Sequence, residues 1–350
     1  MPTPKPAVAH PNLKPNKVGL TLRDYEGAPS TLCAGCGHDS VTAAIVRSFY
    51  ELDTPPHMIA KLSGIGCSSK TPTYFVSGAH GFNSAHGRMP SIATGANAAN
   101  RELTYIGISG DGDSLSIGIG QLAHAVRRNL DMVYVIENNG VYGLTKGQFS
   151  ASSDVGSKSK RGEANQQRPI DPAMLALSLG ATFIARSFSG DKEQLVPILK
   201  AGLAHRGLAL VDVLSPCVTF NDHEGSTKSY AHTRKHRLEV IQTDFVPPAN
   251  AIAARYSEGE TITVKLHDGL DLRLSKTNKD YDPTDRVGVY RYLEEQQKKG
   301  IVPTGLLYLD TGHADMHALA GTVSTPMTQL PFEQLCPGSA ALEKLQEDFE

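Results

Sequence analysis

The stretch TYIGISGDGDSLSIGIGQLAHAVRRNLDMVYVIENNGVYG, residues 104–143, decides the fold. Its first seven residues are apolar or small and end at Gly-Asp-Gly-Asp. Residues 116–129 carry apolar side chains at helical spacing. Residues 132–138 return to a continuous apolar run. Strand, loop, helix and strand in that order predict a βαβ unit. Its strands lie parallel and buried on both faces, which is why neither run alternates polar with apolar.

The same alternation extends outward. TLCAGCGH (31–38) reads as a glycine–cysteine loop, followed by a helix over DSVTAAIVRSFYEL with Asp39 or Ser40 as N-cap. HMIAKLSGIG (57–66) predicts a strand entering a glycine turn. A glycine-spaced loop with His-Gly-Arg at 86–88 then leads into a small-residue helix, SIATGANAAN. Asp171-Pro172 starts a helix that Gly180 can end. FIARSFS (183–189), a helix near 191–206 and ALVDVLS (209–215) complete a second alternation, with Pro197 expected to kink or restart the helix. The fold class is therefore α/β, a mostly parallel sheet with helices on both faces, plus a smaller C-terminal region. VPPANAI (246–252) marks a composition break. Beyond it come a hairpin over TITVKLHDGLDLRL with a His-Asp-Gly turn, a charged helix near 284–298 and a polar tail. The expected organisation is an extended proline-rich arm over 1–30, a ligand-binding α/β domain over 31–245, and a C-terminal domain and tail over 246–350. The polar stretch 150–169 reads as a lid, a partner-binding segment or a disordered loop.

The chain has 350 residues, 40 % of them hydrophobic, and a formal net charge of −2. That balance gives no reason to expect nucleic acid or an anionic membrane as a partner. No apolar run reaches the length of a membrane span, and the first twenty residues lack the apolar core of a secretory signal, so the expected compartment is the cytoplasm. Five cysteines, Cys33, Cys36, Cys67, Cys217 and Cys336, form an odd set that argues against a disulfide framework.

Asp111 falls just past the end of one predicted strand, and Asn139 just past the end of the next. Ligands bind at that edge of an open parallel sheet. A carboxylate, an amide oxygen and a backbone carbonyl suit Mg²⁺, which completes its shell with phosphate and water. Gly110 and Gly112 let the backbone approach a diphosphate, and the helix that follows offers free N–H groups. Either Gly-Asp-Gly or Asn-Asn-Gly alone is a common turn.

Cys33-x-x-Cys36 is a two-ligand clip, Cys67 ends a predicted strand, and Cys217 follows another. All three elements can reach one edge of the sheet. Four thiolates suit zinc or an iron–sulfur cluster, and only one close pair is present where structural zinc usually has two. Cys336 is left without a role.

Gly-Asp-Gly, about 25 residues, then Asn-Asn resembles the thiamine-diphosphate fingerprint. CAGCGH, GIGCSS, HGR, GDGD, ENNGVYGLTKGQ, SPCVTFN and KDYDPTDR, in this order, resemble the β subunits of 2-oxoacid:ferredoxin oxidoreductases over most of the chain. The resemblance implies that Asp111, Asn139 and the Val141 carbonyl hold Mg²⁺. It implies that Ile65, Gly66, Cys67, Ser68, His86, Gly112, Asp113, Gly143 and Leu144 border thiamine diphosphate. Cys33, Cys36, Cys67 and Cys217 then ligate a [4Fe–4S] cluster. His86 and Lys70 are the implied catalytic groups, and Lys70 and Lys146 meet the substrate's carboxylates. The implied reaction takes a 2-oxoacid and coenzyme A to acyl-CoA and CO₂, with electrons passing to ferredoxin. The two lysines point to 2-oxoglutarate, with pyruvate and branched-chain 2-oxoacids as alternatives. The resemblance also implies a partner α subunit, which supplies the glutamate beside the aminopyrimidine. Cys-Ala-Gly-Cys departs from the family's frequent Cys-Pro-Gly-Cys, a change the loop tolerates because alanine adopts proline's φ. A non-redox thiamine-dependent decarboxylase or carboligase, and an electron-transfer or scaffold subunit, are the competing classes.

Overall fold

A computed structural model describes residues 13–159, 162–246, 261–265, 271–276, 281–336, 338–347 and 349. The strands are β1 (Ile59–Ser63), β2 (His80–Asn83), β3 (Thr104–Gly110), β4 (Met132–Asn138), β5 (Val141–Tyr142), β6 (Gln148–Phe149), β7 (Phe183–Phe188), β8 (Leu208–Leu214), β9 (Arg237–Val246), β10 (Thr261–Lys265), β11 (Asp271–Lys276) and β12 (Val302–Leu309). The helices that cover them are α1 (Gly37–Glu51), α2 (Met89–Ala99), α3 (Ile119–Arg127), α4 (Pro172–Leu179), α5 (Lys192–Ala204), α6 (Tyr230–His236) and α7 (Arg286–Lys298).

Ten strands form one sheet in the order β10-β11-β9-β12-β7-β8-β4-β3-β1-β2. From β7 to β2 every pairing is parallel. α1 packs on α5 over one face, while α2, α3, α4 and α7 follow one another over the other. β4 and β8 are buried along their whole length, as two-sided cover requires. The α/β class, the mostly parallel sheet and the two helix layers are those expected.

Local chemistry sets the element ends. The Asp171 carboxylate accepts from the N–H groups of Ala173 and Met174, and Gly180 closes α4 at φ +89°. α1 starts at Gly37, two residues earlier than the Asp39 or Ser40 cap expected. The Gly37 N–H bonds the Pro216 carbonyl at 3.3 Å. A Cβ at Gly37 would stand 2.6 Å from Ser215 Oγ, so only glycine lets the cysteine loop enter the helix there. α5 runs unbroken through Pro197, against the expected restart.

Five strands were not anticipated, the short β5–β6 pair among them. β2 is an exposed edge strand read as loop. β9 spans the break placed at 245, and β12 lies between β9 and β7, parallel to the first and antiparallel to the second. The sheet therefore runs across the expected boundary, and β12 belongs to it. Pro303 and Gly305 interrupt β12, which lies in the stretch expected to be a polar tail. The strand absorbs them with register shifts, and Gly305 takes φ +100° where a Cβ would stand 2.3 Å from the Ile241 carbonyl oxygen. β10 and β11 form the expected antiparallel hairpin; its His-Asp-Gly turn lies outside the described residues. Within the supposed arm, Tyr25 is fully buried and Glu26 bridges to Phe75, while residues 1–12 lie outside the described residues.

Candidate functional site

β8, β4, β3 and β1 are neighbours, so the segments that leave their carboxyl ends share one rim. A cavity of about 510 Å³ opens there. Ile65, Gly66, Cys67 and Ser68, which follow β1, line it, as do Asp111, Gly112 and Asp113, which follow β3. Asn139, Val141, Gly143 and Leu144 line it from the β4 side, and His86 from the loop before α2. The sequence singled out all of these. Gly110, also anticipated, lines it too, and His38, Tyr142 and Thr145 complete the wall without having been anticipated.

Asp111 is 1 % exposed, and burial raises its carboxyl pKa. Its Oδ2 accepts from Ser150 Oγ and, at 2.5 Å, from Ser152 Oγ. Its Oδ1 receives only a long bond of 3.3 Å from the Asn139 N–H. Asn139 Oδ1 accepts from the Val141 N–H at 3.0 Å, and the Asn139 carbonyl accepts from Asn221 Nδ2 at 2.8 Å. Asn139 Nδ2 meets His38 Nε2 at 3.5 Å, and His38 Nδ1 sits 2.6 Å from Ser215 Oγ and 3.5 Å from Glu137 Oε2. Burial pushes the His38 imidazole down to about 4, so the ring is neutral. With its Nε2 accepting from the amide and its proton on Nδ1, Asn139 keeps its oxygen toward the cavity. Glu137 is buried, held by Thr71 Oγ1 at 3.1 Å, and raised well above the usual carboxylate range by burial. It does not line the cavity.

Asp113 is the second carboxylate on the wall. It accepts from Ser109 Oγ at 2.6 Å and the Gly87 N–H at 2.7 Å, and it pairs with His86 Nδ1. The His86 ring is also edge-on to Tyr142, whose hydroxyl donates to the Gly112 carbonyl at 3.0 Å. A buried carboxylate with one oxygen holding only a long bond, an amide oxygen, and glycines on the wall form a hard-oxygen donor set. It fits a magnesium–diphosphate group.

Four thiols gather behind this wall. A Cβ at Gly143 would stand 3.4 Å from Cys67 Sγ and 3.6 Å from Cys217 Sγ, so the two sulfurs flank one point. Cys33 and Cys217 both raise the Cys67 thiol electrostatically, and Cys217 also acts on Cys36. Burial dominates these shifts and pushes Cys36 up to about 12. The Phe220 and Asn221 N–H groups bond the Cys217 carbonyl at 3.2 and 2.9 Å, and Thr219 Oγ1 lies 3.6 Å from Cys33 Sγ. Among the described residues, no three His, Cys, Asp or Glu side chains close on a point that would hold a single metal ion. Thiols clustered at wider spacing suit a multi-iron core better than one zinc. Cys36 follows the loop carrying Cys33, and all five cysteines are free.

The two lysines stand apart from the wall. Lys70 lies one turn past Cys67 in the short helix Ser68–Thr73, where its charge lowers the Cys67 thiol against burial. Lys146 is exposed at the tip of the β5–β6 hairpin, with φ +80°. The 150–169 stretch departs from a free loop. Ser150, Ser152, Ser153 and Asn165 are buried, and Asp154 pairs with Lys228 at 3.0 Å. No local pattern marks serines as partners of a carboxylate 40 positions away.

Residues 64–213 match the family described as "Thiamine pyrophosphate enzyme, C-terminal TPP binding domain". A curated relative, the 2-oxoacid:ferredoxin oxidoreductase subunit beta of Saccharolobus solfataricus, is 42 % identical over 208 residues, which are 59 % of this chain and 68 % of that protein. The chain belongs to this family of β subunits. The 2-oxoglutarate oxidoreductase subunit KorB of Mycobacterium tuberculosis is 44 % identical over 54 % of this chain and 51 % of its own length. A solved 2-oxoglutarate:ferredoxin oxidoreductase from Magnetococcus marinus, with 2-oxoglutarate, coenzyme A and succinyl-CoA bound, superposes with a TM-score of 0.71 at 28 % identity, covering 88 % of this chain and 91 % of that one. As a 2-oxoacid:ferredoxin oxidoreductase β subunit, this chain carries the family's thiamine-diphosphate-binding domain on the rim described above. Among the described residues, no helix is long and apolar enough to cross a membrane.

Proposed function

We propose that this β subunit, with an α subunit, oxidatively decarboxylates 2-oxoglutarate in the presence of coenzyme A and passes the electrons to ferredoxin. The observation that carries the reading is the joining of two sites. The cavity that gathers Asp111, Asn139 and Val141 shares Cys67 and Gly143 with the four-thiol cluster behind it. Thiamine diphosphate bound with Mg²⁺ supplies the carbanion and electron sink, and a [4Fe–4S] cluster supplies a one-electron acceptor.

This chain's residues bind and orient. Asp111, Asn139 and the Val141 carbonyl hold the cation, and Gly112 and Asp113 border the diphosphate. Ile65, Gly66, Ser68, Gly143 and Leu144 shape the wall around the cofactor. Cys33, Cys36, Cys67 and Cys217 ligate the cluster. His86 lines the cavity with its Nδ1 against Asp113, and on this reading its imidazole donates to an oxyanion or to the substrate carboxylate. Lys70 and Lys146 do not line the cavity, but each lies within two residues of a lining residue, Ser68 and Thr145, and on this reading they meet the carboxylates of a dicarboxylic 2-oxoacid. Among the described residues no glutamate lines the cavity, and Asp111 and Asp113 are both held by serine hydroxyls, so on this reading the carboxylate that activates the aminopyrimidine comes from the α subunit.

Anaerobic co-production with the α subunit, followed by dye reduction with 2-oxoglutarate, pyruvate and branched-chain 2-oxoacids, tests this. The expected result is coenzyme-A-dependent reduction fastest with 2-oxoglutarate and none from the β chain alone. A colourless complex, or turnover without an electron acceptor, would favour a non-redox thiamine enzyme.

A further inference from the structure

The proposed cation ligand Asp111 is held by residues far from it in sequence, and the way it is held is asymmetric. Its carboxylate is 1 % exposed, and both hydroxyls that reach it, from Ser150 and Ser152, arrive at the same oxygen, Oδ2. Oδ1 is left with a single long bond, from the Asn139 N–H at 3.3 Å. Ser150 and Ser152 sit on one tight turn, closed by the Ser153 N–H on the Ser150 carbonyl at 3.1 Å, and the turn brings both hydroxyls to the same oxygen.

That segment is itself fixed. The Ser150 N–H donates to Ser153 Oγ at 2.9 Å, the Ala151 N–H donates to Ser116 Oγ at 3.1 Å, and Ser153 Oγ donates to the Gly140 carbonyl. Ser152 Oγ also lies 2.8 Å from Asn138 Oδ1, beside the second proposed ligand, Asn139. The opening of the 150–169 stretch thus ties the loop after β3 to the loop after β4.

We propose that Ser150 and Ser152 are positioning residues for the cation. By occupying Oδ2 they stop the carboxylate from rotating and present Oδ1 to the ion, with Asn139 held in step. A carboxylate free to rotate would chelate through both oxygens or turn away, and Mg²⁺ tolerates neither departure from octahedral geometry. Outer partners that aim a ligand in this way typically contribute roughly 10–100-fold to metal affinity. The inference rests on reading Asp111 as the cation ligand.

The test uses the α/β complex stripped of divalent ion and cofactor. Mn²⁺ binding is titrated at fixed thiamine diphosphate and read from the free-Mn²⁺ electron paramagnetic resonance signal, with the melting temperature of the stripped complex measured alongside. Ser150→Ala/Ser152→Ala should bind Mn²⁺ roughly 10–100-fold more weakly. Ser150→Thr/Ser152→Thr, which keeps both hydroxyls, should recover most of that loss. Wild-type affinity in the alanine variant, with Asp111→Ala unable to bind, would overturn the positioning role and leave the site intact. A lowered melting temperature with unchanged affinity would also overturn it. Wild-type affinity in Asp111→Ala would sink the cation-site reading itself.

Discussion

Replacing Arg186 by methionine should destabilise the chain in a way that fades as the solution is acidified. Arg186 is 5 % exposed and its guanidinium bonds Asp171 Oδ1 at 2.5 Å and Asp212 Oδ2 at 2.7 Å. Asp171 caps α4, and Asp212 accepts from Asn138 Nδ2 at 3.0 Å, next to Asn139. Methionine fills much of the arginine's volume but strands two buried carboxylates. Breaking a buried pair this way costs about 3–5 kcal/mol. The size has a ceiling: with an unfolded-state value near 3.9, protonating one aspartate at pH 7 costs about 4 kcal/mol. Asp212 is the one to take the proton, because burial already raises its carboxyl even with the arginine present. The folded variant then holds one more proton than its unfolded chain, so its stability rises as pH falls. Between pH 7 and 5.5 it should regain about 2 kcal/mol relative to wild type. Urea unfolding at the two pH values measures this. Asp212→Asn added to Arg186→Met should recover a similar amount at pH 7. A destabilisation that stays the same at both pH values would refute the protonation argument and leave lost packing as the cause.

Cys217→Ser should abolish the broad absorbance near 400 nm expected of an anaerobically prepared protein with an iron–sulfur cluster, while Cys336→Ser leaves it unchanged, since Cys336 is exposed in the tail. Burial holds Cys36, Cys67 and Cys217 in the thiol form, so cluster insertion must release protons; reconstitution should be more complete at pH 8.5 than at 6.5, read as iron per chain. Thr219→Val removes a donor from Cys33 and should make the cluster's midpoint potential more negative, because the reduced, more negative cluster loses a hydrogen bond; an unchanged potential in a redox titration would count against that bond. His38 titrates near 6.5 unfolded and about 4 folded, so the unfolded chain alone binds its proton in that window, and stability is lost as pH drops from 6.5 to 4, by up to about 3 kcal/mol; His38→Gln should flatten that slope in urea titrations at pH 4.5 and 7.

Much of the site could be read locally because its parts follow strands. Asp111 and Asn139 each sit directly after a strand, and Cys67 follows β1 by a short glycine turn, so the strand ends bring all three to one rim. The caps of α4 were equally legible, since Asp171 and Gly180 act within a few residues. β12 was not, because Pro303 and Gly305 break the strand signature and only its neighbours β7 and β9 hold it in the sheet.

The amino-acid order by itself determined the βαβ core, the rim its strands share, and which oxygens and sulfurs are carried to it. These follow from hydrophobic periodicity and short-range turn chemistry, whose reach is a few residues. Only the tertiary structure decided which groups aim them: Ser152 at Asp111, Asn221 at the Asn139 carbonyl, His38 at the Asn139 amide. Those pairs are separated by 41, 82 and 101 positions. Folding alone brings them within bonding distance, and hydroxyls and amides carry no periodic signature of their eventual partner.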